Sequence, residues 1–402
     1  MKKFELLIIF LFAAVIYAQE DANSGKSVKQ QIIDTESFVG RVIPGEMKTW
    51  IDEHSKYEIT QWTSKGESTH PYFTNESFID DDTALIFSER TGKKQLYKLN
   101  LMTGEMIQMT NAERLRNMDF LINKKKLWYL DGKVLKSLDV QTLESKEVYN
   151  FEKWPYTVGS FTITCDAKYF VFSSSHKQQT AGDCGYGPYV IYKLNLIDKS
   201  INPITHITGF NIGHLQANPV DPNLILYCWQ WEALGRSKLV GDTPIRIWWV
   251  NIDGSDGGPF QQAFGLHRTH ECWTPDGKYV TYTGDFMFGL QKGREVVGFQ
   301  SIDGKVDKMY DATVWHAHQN MFKDNKHWVA DLYNHDERDL VMFTRGEDKI
   351  ERTEILFHHA STWDGQGSHP HPRFSPNGKY ILFSTDKTGT PQVYTVKVNL
   401  NR

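Results

Sequence analysis

The chain has little of what nucleic-acid binding or a disulfide scaffold requires. Its 402 residues carry 45 basic and 49 acidic side chains, a formal charge of -4, and no block of basic residues. Because nucleic-acid binding needs a Lys/Arg face for the phosphates, this balance argues against that class of partner. Four cysteines exclude a disulfide-dense fold. They form no Cys-x-x-Cys pair, which argues against a thiolate zinc site.

Long hydrophobic runs are also absent, apart from one at the N-terminus. Lys2 and Lys3 precede an unbroken apolar stretch over 6–17, which is followed by Ala18. This pattern is typical of a signal peptide over 1–18. An uncleaved anchor is the alternative, but the stretch is short for a bilayer span of about 20 residues. We therefore predict a periplasmic or secreted protein with no membrane span after cleavage.

Export would permit disulfides, although the sequence does not assign them. Cys165 and Cys184 are the nearest pair, and Cys184 lies in a Gly-rich stretch. Four cysteines allow three pairings, and nothing in the sequence selects one of them.

Helical periodicity is weak, and a β-strand repeat runs along the chain instead. The clearest copies begin at Trp273 (WTPDGKYVTY) and Phe374 (FSPNGKYILF). Each has an aromatic residue, a polar turn and alternating apolar residues, and Asp-Gly or Asn-Gly turns favour tight hairpins. One turn residue anchors each copy, at spacings of 43 to 55 residues: Asp80, Asn123, Asp166, Asp221, Asp276, Asp324 and Asn377.

This spacing, with several strands in each repeat, indicates the blades of a β-propeller. Seven anchors predict an all-β, seven-bladed propeller over 51–402, preceded by a lead-in over 19–50. The last copy has room for about three strands, so we expect Tyr57–Thr63 to supply its outer strand and close the ring. A sandwich or two separate β domains is the alternative. A propeller alone does not fix the function.

The fifteen histidines are placed unevenly. Several lie just before the aromatic-turn signature of a blade, where the innermost strand begins and faces the channel: His70, His214, His267, His270, His316, His318, His369 and His371. Repetition at equivalent positions predicts that they converge on one axial site. A histidine cluster beside a channel is either a metal site or an acid/base site.

The segment QGSHPH is the sharpest candidate for metal binding. His369 and His371 are two residues apart, so on a strand they share one face, and Gln366 is close enough to join them. Two imidazoles and an amide oxygen suit Mn²⁺, Ni²⁺ or Zn²⁺. His318 from the adjacent blade would complete the set, and His316, one alanine away, is the alternative.

Four stretches resemble one known family. They are LQANP after His214, RIWWVNIDGS from Arg246, THECWTPDG from Thr269 and QGSHPHPRFSPNG from Gln366. With these stretches the chain resembles the oligogalacturonate lyases, the seven-bladed enzymes of polysaccharide lyase family twenty-two. The first three blades match only as a propeller repeat, which TolB-like proteins share.

The resemblance implies a set of residue roles. A divalent metal, usually Mn²⁺, would be held by His318 and by the Gln366, His369 and His371 group. His270 would be the catalytic base, and Arg246 would bind the substrate carboxylate. The implied reaction is β-elimination on short oligogalacturonides, in which the proton on C5 is removed and the sugar oxygen on C4 is expelled.

The implied chemistry explains these residue types. A metal and an arginine on the carboxylate stabilise the charge that develops as the C5 proton leaves. A neutral imidazole can take that proton near neutral pH. The leaving oxygen also needs a proton or a water molecule. His214, Tyr72 and His70 are candidates for this role and for substrate binding.

Several points leave alternatives open. The signal peptide differs from the family's cytoplasmic members, so another uronate, such as a rhamnogalacturonan or ulvan fragment, is an alternative substrate. The stretch Ser175–Pro188 also looks unlike the family. A non-catalytic TolB-like binding platform is a second alternative. Glu271 either orients a neighbouring histidine or is a solvated strand residue, and His358 and His359 are expected at the surface.

Overall fold

Seven antiparallel sheets follow one another along the chain and form a β-propeller. The computed structural model describes residues 36–176, 188–207, 211–231, 239, 241–312, 316–333 and 338–400. Within these ranges the regular secondary structure is almost all β-strand, and the short 3-10 turns include Ile122–Lys124 and Gln366–Ser368. No helix in the same ranges is long and apolar enough to cross a membrane. The predicted all-β, seven-bladed architecture is confirmed.

The strands are grouped by blade in chain order. The N-terminal segment carries β1 (Val42–Ile43), β2 (Lys48–Ile51) and β3 (Glu58–Gln61). Blade one combines β1 with β4 (Ser68–Thr69), β5 (Phe78–Asp80), β6 (Thr83–Ser88), β7 (Gln95–Asn100) and β8 (Met106–Gln108). Blade two has β9 (Leu115–Leu121), β10 (Lys126–Asp131), β11 (Val134–Asp139) and β12 (Ser145–Asn150). Blade three has β13 (Phe161–Ile163), β14 (Tyr169–Ser175), β15 (Tyr189–Asn195) and β16 (Ile201–Ile207).

The remaining blades repeat the four-strand pattern. Blade four has β17 (Ile212–Ala217), β18 (Leu224–Trp229), β19 (Ile247–Asn251) and β20 (Gly257–Pro259). Blade five has β21 (Leu266–Trp273), β22 (Val280–Phe286), β23 (Glu295–Gln300) and β24 (Asp307–Ala312). Blade six has β25 (His316–Met321), β26 (His327–Leu332), β27 (Asp339–Arg345) and β28 (Ile350–His358). Blade seven combines β2 and β3 with β29 (Arg373–Phe374), β30 (Tyr380–Thr385) and β31 (Gln392–Lys397).

The seven anchor residues lie at the turn between the first two core strands of each blade. Blade five shows how such a turn is held. Thr274 Oγ1 donates a hydrogen bond to Asp276 Oδ1 over 2.6 Å, and the Lys278 amide donates to the same oxygen over 3.2 Å. Gly277 has a φ of +69°, a conformation that glycine adopts without steric cost. The repeated sequence is therefore a repeated hairpin.

Both ends of the described chain build blade seven. β3 pairs with β31 in the register Glu58 to Lys397, and β2 pairs with β3 beyond it. Trp62 Nε1 donates to Thr395 Oγ1 over 3.0 Å and fastens the same junction. The predicted closure of the ring by the segment around β3 is confirmed. The lead-in also contributes β1 to the outer edge of blade one.

Apolar side chains from adjacent blades pack between the sheets. The cluster between blades five and six contains Phe299, Tyr310, Trp328 and Phe343, each at most 5% exposed. Burying a large side chain of this kind contributes about 2 kcal/mol, and the layer is repeated between other neighbouring blades. This packing makes the inner strands a rigid support for the channel.

Candidate metal and catalytic site

Three neighbouring inner strands share one irregularity that presents histidines to the channel. The pairing register of β17, β21 and β25 with the next strand skips between Gly213 and Gln216, Thr269 and Cys272, and His316 and Gln319. Each skip contains one histidine: His214, His270 or His318. β-Bulges re-aim side chains and are frequent beside active sites.

Backbone conformation supports this reading. His214, His270 and His371 have φ values of +46°, +50° and +50°. A non-glycine residue in the left-handed region costs about 1 kcal/mol or more, and such residues persist where the surrounding structure enforces them. Their recurrence in blades four, five and seven indicates that the fold holds these side chains for a purpose other than packing.

Three of the predicted metal ligands lie together. One ligand nitrogen from each of His318, His369 and His371 lies within 4.8 Å of the others. The ring centroids of His318 and His371 are 4.2 Å apart, and that of His369 lies about as far from both, at 5.4 and 5.5 Å. His316 packs instead against Phe343, so of the two alternatives it is His318 that joins the group.

The donor atoms of this group suit a divalent ion. Among the residues that the structure describes, His369 Nδ1, His371 Nε2 and Gln366 Oε1 are buried without a hydrogen-bond partner. Leaving such an atom unpaired costs about 1–3 kcal/mol. Imidazole nitrogens with an amide oxygen are ligands for transition metals such as Mn²⁺ or Zn²⁺. Gln366 begins the 3-10 turn that leads into His369, so the two residues lie in one short turn.

Burial keeps these imidazoles neutral, as a metal ligand must be. Burial, followed by the charge of His318, lowers the pKa of His369 to about 3. Burial and the same neighbour lower the pKa of His371 well below its ordinary value. At neutral pH both rings therefore offer lone pairs rather than protons.

Asp331 is a site residue that the sequence analysis missed. Its Oδ1 accepts the His318 amide over 2.7 Å, while Oδ2 accepts the His371 amide over 3.1 Å and lies 3.0 Å from His318 Nδ1. Burial acts to raise the pKa of Asp331, but His318 and its hydrogen bonds outweigh burial and lower it. The carboxylate thus orients two ligands, as partners of metal-bound histidines do. One signal was available, namely an acidic residue within the apolar strand WVADL of β26.

His270 lies beside the metal group. Its ring centroid is 4.6 Å from that of His318, and Thr283 Oγ1 lies 3.5 Å from His270 Nδ1. Burial, followed by the charges of His318 and His214, lowers the pKa of His270 well below its ordinary value. A buried neutral imidazole at this position can accept a proton, which suits the predicted base.

Glu271 connects two further predicted site residues. It is fully buried, its Oε1 lies 2.7 Å from His214 Nδ1, and its Oε2 lies 3.4 Å from Arg246 Nε. Burial acts to raise the pKa of Glu271, but His214 and Arg246 outweigh burial and lower it to about 2. The interpretation of Glu271 as a solvated strand residue is wrong. The carboxylate orients His214 and the buried Arg246.

The same carboxylate belongs to a second group of candidate metal donors, with His214 and Cys228. The ligand atoms of these three residues lie within 4.8 Å of one another. The guanidinium of Arg246 already contacts Glu271 with its positive charge, which opposes a cation at this place. We therefore assign the metal to the imidazole group alone.

The three predicted substrate-binding residues differ in their surroundings. Tyr72 Oη lies 3.2 Å from His214 Nε2, and the Tyr72 ring packs against His371 with centroids 4.7 Å apart. His70 lies farther from the group, and its ring centroid is 6.5 Å from that of His371. Its Nε2 is 3.0 Å from the carbonyl oxygen of Pro370 and its Nδ1 is 3.4 Å from Ser77 Oγ, so both nitrogens already have partners.

Aromatic residues that the sequence analysis did not select surround the imidazoles. Phe73 is fully buried and its ring lies 5.2 Å from His318 and 6.1 Å from His270. The ring centroid of Trp363 lies 4.4 Å from that of His369, and the Trp363 ring plane is nearly parallel to that of His318. These rings exclude water from the buried side of the group, which strengthens electrostatic interactions there. No spacing in the sequence marks them.

Three further histidines in the described part of the chain lie outside the group. His267 Nδ1 is 3.0 Å from Asp285 Oδ1 and its ring packs on Trp231. The expectation that both His358 and His359 are at the surface is correct only for His358. His359 is fully buried, because its Nδ1 accepts the Ser361 amide over 3.1 Å within the loop after β28.

The cysteines leave the disulfide prediction untested. Cys184 and most of the Gly-rich stretch lie outside the described residues. Cys272 is buried beside Tyr72 and Phe73, where burial raises the pKa of its thiol to about 11. Cys272 is therefore an inert thiol in the described structure.

Comparison with known proteins finds relatives that are lyases. No protein-family model matches the chain. The chain is 24% identical over 394 residues to an oligogalacturonide lyase from Pectobacterium atrosepticum, covering 89% of this chain and 98% of the relative. It is equally similar, with the same coverage, to an oligogalacturonate lyase from Dickeya dadantii.

Two solved structures share the fold. One is an oligogalacturonate lyase from Vibrio parahaemolyticus, with a TM-score of 0.79, 22% identity, and coverage of 90% of this chain and 100% of that one. The other is an oligogalacturonate lyase in complex with manganese, also with a TM-score of 0.79, at 21% identity, covering 90% and 99%. The resemblance indicated by the four sequence stretches is confirmed along nearly the whole chain.

Proposed function

We propose that this protein is a metal-dependent oligogalacturonate lyase that cleaves short pectin fragments by β-elimination. The observation that carries the proposal is the buried group of His318, His369 and His371, with unpartnered donor atoms, beside His270 and the Arg246–Glu271 pair. A propeller that only binds a partner needs none of these groups together. Similarity to named lyases over most of the chain supports the same conclusion.

His318, Gln366, His369 and His371 would hold the divalent ion, for which Mn²⁺ is the first candidate. When bound, the ion supplies positive charge that stabilises the uronate carboxylate as the neighbouring C5 proton is removed. None of these four side chains carries a negative charge, so they do not reduce the positive charge that the ion would offer the substrate. Asp331 contributes by holding His318 and His371 in orientation.

Arg246 binds the uronate carboxylate. A guanidinium is planar and matches two carboxylate oxygens, so it fixes the orientation of the sugar as well as its charge. Glu271 contacts Nε, which sets the plane of the group. Because Arg246 is 5% exposed, its attraction for an anion is little screened by solvent.

His270 takes the proton from C5. The C5–H electron pair forms the C4–C5 double bond, and the C4–O4 bond breaks to release the next sugar. Burial holds His270 neutral and thus ready to accept a proton. General-base catalysis of this kind contributes about 100- to 10,000-fold in rate.

The N-terminal segment supports a proposal about location. A leader over 1–18 would carry the enzyme to the periplasm or outside the cell, where short galacturonate oligomers would be its substrates. The N-terminal sequence of the protein recovered from the source cells tests this proposal. We expect it to begin at Gln19, and a protein that retains Met1 would contradict it.

Product analysis tests the proposed function. Digalacturonate and trigalacturonate are incubated with the protein, in Mn²⁺ and in chelator, and the products are weighed by mass spectrometry. We expect products lighter by one water than hydrolysis products, formed only with metal. No turnover by metal-loaded protein would redirect the search to other uronates. No turnover and no bound metal would leave the binding platform as the better interpretation.

A further inference from the structure

A continuous series of polar contacts runs from a buried carboxylate to the edge of the imidazole group. Glu271 Oε1 lies 2.7 Å from His214 Nδ1, and His214 Nε2 lies 3.2 Å from Tyr72 Oη. The three residues are 0%, 6% and 9% exposed. Such a buried series of polar groups can pass a proton from one group to the next, and the low local dielectric strengthens its hydrogen bonds.

The fold enforces the orientation of this chain. His214 sits in the bulge of β17 with a φ of +46°, and Glu271 sits in the corresponding bulge of β21, next to His270. Gln216 Nε2 donates to the carbonyl oxygen of Glu271 over 2.9 Å and ties the two bulges together. Glu271 Oε1 lies against His214 Nδ1, so His214 Nε2 faces Tyr72 Oη.

Tyr72 stands between this chain and the site. Its ring lies 4.7 Å from His371 and 5.6 Å from His318, measured between centroids. Tyr72 and His214 also line one small cavity, together with polar residues including Thr74, Asn75 and Ser160. The cavity has a volume of about 10 Å³, which is room for about one water molecule beside these groups.

We propose that Tyr72 protonates the leaving C4 oxygen, and that His214, held by Glu271, resupplies the proton. This inference rests on the proposed lyase function and assigns the proton donor for it. As the C4–O4 bond breaks, the Tyr72 hydroxyl proton passes to the departing oxygen. His214 starts as an imidazolium paired with Glu271; its Nε2 proton passes to Tyr72 Oη, and the ring becomes neutral with its Nδ1 proton facing Glu271.

The protons balance over the whole reaction. His270 holds the proton taken from C5, and after product release it loses that proton to solvent water. His214 takes one proton back from water, so the enzyme returns to its first state. Neither an oxidant nor a further reactant is needed. Glu271 and His214 are positioning and supply residues, and only Tyr72 touches the reacting oxygen.

A change of leaving group tests the proposal. Two uronides are compared, digalacturonate and a methyl 4-deoxy-4-fluoro-galacturonide, because fluoride leaves C4 without needing a proton. Both yield the same C4–C5 double bond, which is followed by ultraviolet absorbance. We expect Tyr72→Phe to lower kcat on digalacturonate by about 100- to 10,000-fold, the range for general acid catalysis, and to change the fluoride rate by less than about tenfold.

A matched variant and two controls accompany this measurement. His270→Ala should lose activity on both substrates, because elimination from each requires removal of the C5 proton. His214→Asn should show the same leaving-group dependence as Tyr72→Phe, since an asparagine cannot pass a proton to Tyr72 Oη, while the contact between Glu271 and Arg246 stays in place. Bound metal and thermal unfolding of Tyr72→Phe should match the wild type, because phenylalanine keeps the ring contacts with His371.

The outcomes separate the proposal from the lyase function itself. Equal losses on both substrates, or no loss on digalacturonate, would overturn the assignment of Tyr72 while the wild-type enzyme still cleaves. Inactive wild-type protein on both substrates would instead refute the proposed function. If Tyr72→Phe proves unstable, the leaving-group dependence of His214→Asn decides, and its absence overturns the proposal.

Discussion

Replacing Asp331 with asparagine should weaken metal binding without touching any ligand directly. The carboxylate accepts hydrogen bonds from the amides of His318 and His371 and lies within bonding distance of His318 Nδ1. An asparagine has nearly the same shape but accepts at only one of its two ends. Either its NH₂ group faces the His318 amide, or it faces both the His371 amide and His318 Nδ1.

The size of the effect follows from these contacts. One or two donors lose their acceptor, at about 1–3 kcal/mol each, so we expect the metal-free protein to lose about 1–6 kcal/mol of stability. Loss of an outer-shell partner lowers metal affinity by about 10- to 100-fold. That range corresponds to about 1.4–2.7 kcal/mol of binding free energy.

The assay is Mn²⁺ titration by calorimetry, with guanidinium unfolding of the metal-free protein alongside. Asp324→Asn is the matched control, because Asp324 also contacts a histidine, His327 Nδ1, over 2.6 Å and accepts backbone amides in the same blade. It lies at the turn before β26, away from the imidazole group. Asp324→Asn should cost stability but leave Mn²⁺ affinity unchanged. Wild-type Mn²⁺ affinity in Asp331→Asn would refute the orienting role.

Three further predictions concern the histidines. His270→Ala should abolish turnover while keeping the bound metal, measured by product analysis and atomic absorption, and more than a small residual rate would remove His270 as the base. The double change His369→Ala and His371→Ala should lose both the turnover and the bound metal. Metal retained by that variant would contradict the ligand set. Burial lowers the pKa of His359 to about 4 from 6.5, so the folded state resists protonation. The stability that neutral His359 contributes above pH 6.5 is therefore lost as the pH falls toward 4. His359→Gln should make the free energy of unfolding, measured by guanidinium titration, depend less on pH between 6.5 and 4.

The fold could be predicted because each blade repeats a local signal. Turns such as Thr274-Pro-Asp276-Gly277 form by contacts within five residues, so their sequence alone determines them. Ring closure could also be predicted, because the last repeat has too few strands and β3 has an unassigned alternating pattern. The His369–His371 pair was recognisable from its spacing along one short segment.

The rest of the site depends on contacts between blades that leave no spacing in the sequence. Asp331 reaches His371 across 40 residues, and Glu271 reaches His214 across 57. The bulges that turn His214 and His270 toward the channel follow from register with the next strand, which is not visible in the strand itself. His359 was misjudged because a histidine in a polar loop became buried by one backbone hydrogen bond.

The closure of the ring by β3 and β31 also sets the order in which the protein can be completed. The ion pair between Lys397 and Glu58 joins residues 339 apart, so the N-terminal strand must wait for nearly the whole chain to be synthesised. Until then, β3 and β30 present unpaired edges that can associate with other chains. A chain that ends before Gln392 would keep these edges permanently, although all of the proposed metal ligands would already be present. The last residues of the sequence therefore govern whether newly made protein stays monomeric long enough to assemble its active centre.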